Sequence, residues 1–246
     1  MDRVLYLSGS NADRLVYAQG VSANNLANVN TVGFKADLHK ATNKSIDEMS
    51  NLNASVYAMP LPAVTDFNPG ALIKTDNPLD VAIKDKGFFS VMNKEGKEAY
   101  TRIGSFYQTQ SGMLMTGNDL PVLGEGGAIS IPQAKKIDIA ADGTISYVPL
   151  SSQDNMAVKL DRIKLVLPDL ATLRKKEDGL FYLPDNKVAE ANSSVQLSSG
   201  CLESSNVNAI SEMTNIIQLA RQFEMSMKLI QTVDTMADTS ARILQL

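Results

Sequence analysis

The stretch from Ser205 to Leu246 constrains this chain more than any other. Within it Ala209, Met213, Ile216, Ala220, Phe223, Met227, Ile230, Asp234, Ala237, Ala241 and Leu244 follow one another in alternating steps of four and three, and only Asp234 is not apolar. Such steps place residues on one stripe of an α-helix, as in a heptad seam. No Gly or Pro follows Gly200, so the spacing predicts one unbroken helix from Ala209, roughly 55 Å long at about 1.5 Å per residue. A rod of that length outruns a compact domain. A second apolar row, Ile217, Leu229, Val233, Met236 and Ile243, widens the stripe beyond what one partner helix covers. The segment is therefore expected to be ordered by partners.

The other end of the chain carries a weaker version of the same pattern. Leu5, Ser8, Ala12, Leu15, Gln19, Ser22, Leu26 and Val29 repeat the steps of three and four, with Gly9 and Gly20 lowering helix propensity. Two matching seams at opposite ends predict that the termini pair. Four asparagines fall within Asn24 to Asn30. Their amides compete with the helix ladder, so they suit a helix end, where they satisfy free backbone groups and bond to neighbouring chains. Gly33 then supplies a tight or left-handed turn.

Between the seams the texture changes twice. Residues 35–76 are polar and then Pro-punctuated (Met59-Pro60-Leu61-Pro62, Asn68-Pro69-Gly70), which predicts an extended connecting arm. From Asn77 short apolar runs alternate with turn signals, as in Gly87-Phe88-Phe89-Ser90-Val91 followed by Asn93-Lys94-Glu95-Gly96. Strands of this length and spacing describe an antiparallel β domain. Asp142-Gly143 marks a hairpin between Ile137-Asp138-Ile139 and Ile145-Ser146-Tyr147, while Arg162 to Leu167 and Leu180 to Leu183 read as half-buried strands. The expected fold is α+β. Residues 1–34 and 205–246 form a discontinuous, coiled-coil-like helical domain, 35–76 the arm, and 77–204 the β domain.

Little in the chain suggests chemistry. A net charge of -4 and a pI near 5.1 give no general attraction to nucleic acid. The one cysteine, Cys201, has no partner for an internal disulfide and no neighbouring His to activate it, so it reads as a small packed side chain. The one histidine, His39, reads as a surface residue and cannot build a metal cluster alone. Gly124-Glu125-Gly126-Gly127 lacks the following Lys-Ser/Thr and helix of a phosphate loop, and Asp138 and Asp142 have no convergent partner. No cofactor or metal is expected. The start of the chain does not read as a cleavable secretory signal, and no apolar run reaches the length of a membrane span.

Three separated motifs carry a resemblance. Asn24-Asn25-Leu26-Ala27-Asn28 followed by Gly33-Phe34-Lys35 resembles the N-terminal signature of the bacterial flagellar rod and hook proteins. Asn77 to Ile83, Gly87-Phe88-Phe89 and Tyr100-Thr101-Arg102 with Gly104 and Phe106 resemble the family's second signature. Leu202 to Asn208, Glu212-Met213 and Arg221-Gln222-Phe223-Glu224-Met225 with Lys228 and Ile230 resemble its C-terminal one. That last run, the Gly-Glu-Gly-Gly loop and Ala140 to Ser146 are most similar to the proximal-rod members.

The resemblance implies a structural subunit of the flagellar basal-body rod within a helical hetero-oligomer of proximal- and distal-rod subunits. The terminal helices would form the inner tube of a drive shaft that passes torque from motor to hook, with the β domain outside. It also implies export through the flagellar type III apparatus, without a cleavable signal, into a rod spanning the periplasm. The expected assembly residues are Leu5, Ala12, Leu15, Leu26, Met213, Ile216, Ala220, Phe223, Met227, Ile230 and Leu244, beside the motif Asn24, Asn25, Leu26, Ala27, Asn28, Gly33 and Phe34. The alternatives are a distal-rod or hook subunit, or an enzyme or ligand-binding protein with its site in the β domain.

Overall fold

The computed structural model describes residues 2–39, 41–45, 56–60, 64–150, 156–184 and 187–243; at 2–7, 41–45, 56–60, 237, 238 and 240–243 it describes the backbone alone. The chain divides into two units, Met1–Val29 with Ala36–Asp66 and Val207–Leu246, and Asn30–Lys35 with Phe67–Asn206.

The first unit is helical. It contains α1 (Asp2–Ala27), β1 (Asp37–Leu38), β2 (Ala41–Ser45), β3 (Val56–Pro60), β4 (Val64–Thr65) and α2 (Ala209–Ile243). Asn208 caps α2, its Oδ1 accepting from the N–H groups of Ile210 and Ser211 at 3.0 and 3.1 Å, and Glu212 adds an acid to the first turn. α1 runs through Gly9 and Gly20 without a break, and ends where the Asn28 N–H and Nδ2 both return to the Asn24 carbonyl, at 3.2 and 2.9 Å. The two helices pack along each other. Ser226 Oγ donates to the Ser8 carbonyl at 3.3 Å and Asn25 Nδ2 to Glu212 Oε1 at 3.2 Å, a crossed order that makes them antiparallel. β1 pairs with β4 and β2 with β3, so the front of the expected arm is laddered into this unit.

The second unit is β-rich. Its strands are β5 (Leu72–Lys74), β6 (Val81–Ile83), β7 (Phe88–Met92), β8 (Glu98–Thr101), β9 (Phe106–Gln108), β10 (Leu114–Thr116), β11 (Leu123–Gly124), β12 (Gly127–Ala128), β13 (Ala134–Ile139), β14 (Thr144–Pro149), β15 (Val158–Arg162), β16 (Leu165–Val166), β17 (Arg174–Lys175), β18 (Phe181–Tyr182), β19 (Leu197–Ser199) and β20 (Cys201–Glu203). They form a five-stranded sheet in the order β16-β7-β8-β18-β17, a three-stranded sheet β13-β14-β15, and four two-stranded ladders. Among the described residues every ladder is antiparallel. The α+β fold with long terminal helices is thus as expected.

Local chemistry explains the β13–β14 hairpin. Ile139 pairs with Ile145 across the Asp142-Gly143 turn, where Gly143 takes φ +86. The run Arg162 to Leu167 is not one strand. The backbone N–H groups of Ile163 and Lys164 turn to the carbonyls of Gly143 and Leu123, so the chain leaves the three-stranded sheet after Arg162 and enters the five-stranded sheet at Leu165. β18 also departs from the expected half-burial. Phe181 and Tyr182 are both buried, because Phe181 packs with Phe88 and Tyr100 while Tyr182 packs with Val91 and Leu180 on the other face. The largest core gathers Val81, Phe89, Leu114, Ile145 and Leu197.

Candidate assembly interface

On α1 the buried row is Ala12, Leu15, Ala18, Ser22 and Asn25. Ala12 and Leu15 are where the seam puts them; Leu26 is only half-buried, and the Leu5 side chain lies outside the described residues. Asn25 takes the inward place beside Leu26 and is 1 % exposed.

An Asn in a buried helical stripe needs partners for its amide. Asn25 finds them in the backbone of Asp37, whose N–H donates to Oδ1 at 2.9 Å and whose carbonyl accepts from Nδ2 at 2.9 Å. The side chain thus pairs with β1 as a peptide group would. Nδ2 also donates to Glu212 Oε1. Asn28 closes the helix end as expected and Asn24 is exposed, whereas Asn25 departs from the expectation as a buried tie inside the chain.

The inward row of α2 differs in phase from the predicted seam. Ala209, Glu212, Ile216, Leu219, Phe223, Ser226, Ile230 and Val233 are the sheltered positions, again in steps of three and four. Ile216, Phe223 and Ile230 are shared with the prediction, and Ala220 is half-buried beside them. Met213 and Met227 are 51 and 39 % exposed. Their expected places are taken by Glu212 and Ser226, two polar residues that hydrogen-bond to α1 and so tolerate the inward face. Leu244 lies outside the described residues.

The outer surface of α2 carries large apolar side chains among its polar ones. Ile210, Met213 and Ile217 form one exposed row and Met225, Leu229 and Met236 another, while only Ser226 of the described α2 side chains is buried. Contiguous exposed apolar rows of this kind mark surfaces that expect a partner. Among the described residues no helix is long and apolar enough to cross a membrane.

In the β unit, Gly33 and Phe34 sit in a short segment clamped to the sheet. Gly33 has φ +67, and a Cβ there would lie 2.5 Å from the Arg102 carbonyl carbon and oxygen. Phe34 lies under Lys175 Nζ, 4.1 Å from its ring centroid. Lys35, absent from the expected site, is buried against Glu203 at 2.6 Å. Periodicity had no means of finding it.

The remaining candidates are structural. Gly124 to Gly127 is a hairpin turn joining β11 to β12. Asp138 pairs with Lys136 at 2.7 Å. Asp142 accepts from the Thr144 N–H and hydroxyl, which lowers its pKa. His39 is half-buried beside the Tyr17 ring, and burial and the Arg14 charge push its pKa down. Half-buried Cys201 accepts from Ser198 Oγ at 3.6 Å.

Comparison with known proteins adds three family matches. "Flagella basal body rod protein" matches residues 10–35, "Flagellar hook protein FlgE/F/G D1 domain" residues 82–147, and "Flagellar basal body rod FlgEFG protein C-terminal" residues 198–243. Flagellar basal-body rod protein FlgF of Salmonella typhimurium is 38% identical over 240 residues, covering 95% of each chain. The FlgF protein of Escherichia coli is 35% identical over 252 residues, covering all of both chains. Flagellar basal-body rod protein FlgG of Buchnera aphidicola subsp. Acyrthosiphon pisum is 34% identical over 252 residues, covering 94% of this chain and 96% of the relative.

Proposed function

The chain belongs to the flagellar basal-body rod family, in its FlgF branch, and from that premise we propose that it is a structural subunit of the rod that assembles through its terminal helices. Its partners are other rod subunits, proximal and distal, in a helical hetero-oligomer. Torque from the motor passes to the hook through the packed helices. The chain reaches the rod through the flagellar type III export apparatus and works where the rod spans the periplasm, without catalysis.

The observation that carries this reading is the outer surface of α2. Ile210, Met213, Ile217, Met225, Leu229 and Met236 lie between 48 and 78 % exposed, although burying one such side chain stabilises by about 1.5–3 kcal/mol. A helix with those rows uncovered gains order and stability when neighbouring helices cover them.

The test is complementation of a strain lacking this chain with Ile217→Asp and Leu229→Asp variants. Both positions are exposed, so the chain itself tolerates the carboxylate. The expected result is wild-type amounts of folded protein, no incorporation into basal bodies and loss of swimming. Full incorporation and swimming by both variants would refute assembly through this surface.

A further inference from the structure

Lys35, Arg102 and Glu203 come from three distant parts of the sequence and share one site inside the β unit. Their side chains are 1, 3 and 1 % exposed. Glu203 Oε1 accepts from Lys35 Nζ at 2.6 Å and from the Gly70 N–H at 3.0 Å, while Arg102 Nε lies 3.1 Å from Oε2. Lys35 Nζ also donates to the Asn68 carbonyl at 2.8 Å, and the Arg102 terminal nitrogens donate to the carbonyls of Gly87 and Asp85 at 3.1 and 2.8 Å. Two buried cations therefore depend on one carboxylate. Each of the three matched family stretches supplies one member of the cluster.

Segment 30–35 is fastened by this cluster and by hydrogen bonds, with little apolar packing. The Gly33 N–H donates to the Glu203 backbone carbonyl at 2.8 Å, and the Asn206 N–H to the Phe34 carbonyl at 3.4 Å. Lys175 Nζ donates to the Lys35 carbonyl at 3.0 Å. Val32 and Phe34 are only half-buried, and neither belongs to the apolar clusters around Phe89, Phe88 or Val91. The sheets and the segment are thus held by different forces.

We propose that Glu203 is a buried electrostatic latch: its ion pairs hold segment 30–35 against β20, and losing them frees that segment as a unit while the β core stays folded. Losing the Glu203 carboxylate leaves two buried cations uncompensated, and water solvates such charges far better than protein does. The Lys35 ammonium escapes that penalty by swinging out with its segment. Arg102, at the end of β8, is held by the carbonyls of Asp85 and Gly87 and stays. Segment 30–35 follows α1 in the chain and Glu203 to Asn206 precede α2, so the latch fastens one helix root to the other. Latching is a property of the β unit's own fold, whatever the helices bind.

Amide hydrogen exchange on the full chain tests it, comparing wild type with Lys35→Met and Glu203→Gln. Lys35→Met removes the ion pair and the Asn68 hydrogen bond that segment 30–35 itself contributes, leaves a balanced Arg102–Glu203 pair in the β unit, and so decides the matter should Glu203→Gln fail to fold. The Gly33 and Asn206 amides are expected to exchange roughly tenfold faster or more, with Ser90 and Met92, bonded to the carbonyls of Lys164 and Pro121, changing by less than about twofold. Unchanged exchange at Gly33 in Lys35→Met would overturn the latch. So would equal acceleration at Ser90 and Met92, which would make the cluster an ordinary part of the core.

Discussion

Asn25 and Glu212, 187 residues apart in the chain, meet through a 3.2 Å hydrogen bond from Nδ2 to Oε1. The same amide holds the backbone of Asp37 through both its donor and its acceptor. One side chain therefore ties α1, β1 and α2.

Asn25→Ala is expected to destabilise the helical unit by about 1–3 kcal/mol, because the Asp37 peptide and the Glu212 carboxylate lose a buried partner together. Asn25→Asp should cost more, since it sets a second carboxylate against Glu212. Faster amide exchange at Asp37 in Asn25→Ala reads the lost acceptor, and denaturant unfolding of the two variants reads their order. An Asp37 amide unaffected by Asn25→Ala would contradict the tie.

Phe223→Ala and Ile230→Ala act on the sheltered row of α2. In the assembled state each is expected to cost roughly 2–5 kcal/mol, the usual range for large-to-small changes in packed sites. The thermal transition of the β unit should not move. Calorimetry of the monomer together with sedimentation of assembled material separates the two effects.

The β unit should lose stability in strong alkali. Burial pushes the Tyr100 phenol up to about 12, and burial with the Asp178 carboxylate raises Tyr182 to about 12. Both phenols are neutral in the fold and ionise more readily once unfolded, near the ordinary value of about 10. Their contribution is present in full below pH about 10 and disappears as pH rises through about 12. Ultraviolet titration of the phenols should show a late-ionising class that Tyr100→Phe and Tyr182→Phe reduce. A single transition near pH 10 in the folded protein would be the contrary result.

Gly33 and Gly20 should respond oppositely to alanine. Gly33→Ala forces a side chain into φ +67 and against the Arg102 backbone, so the strain of the left-handed conformation, about 1–2 kcal/mol, is a lower bound on its cost. At Gly20 an added Cβ meets nothing within 4 Å, and the change should stabilise the helical unit by about 1 kcal/mol. Denaturant unfolding of the two variants checks both signs.

The helices, the strand texture and the Asp142-Gly143 hairpin were legible because period and turn chemistry are local. The phase of α2 was not. A reader of apolar spacing takes Met213 and Met227, whereas the fold turns Glu212 and Ser226 inward once α1 offers them hydrogen bonds. Asn25 misled for a related reason: its burial depends on Asp37, and that partner is not visible from propensity. The Lys35, Arg102 and Glu203 cluster was invisible to any periodicity, since its members reach one another only across the folded β unit.

Electron cryomicroscopy of purified basal bodies tests assembly through α2 most directly. The account predicts this chain within the rod, with Ile210, Met213, Ile217, Leu229 and Met236 buried against helices of neighbouring subunits. A rod that lacks the chain, or that contains it with those side chains facing solvent, would contradict it.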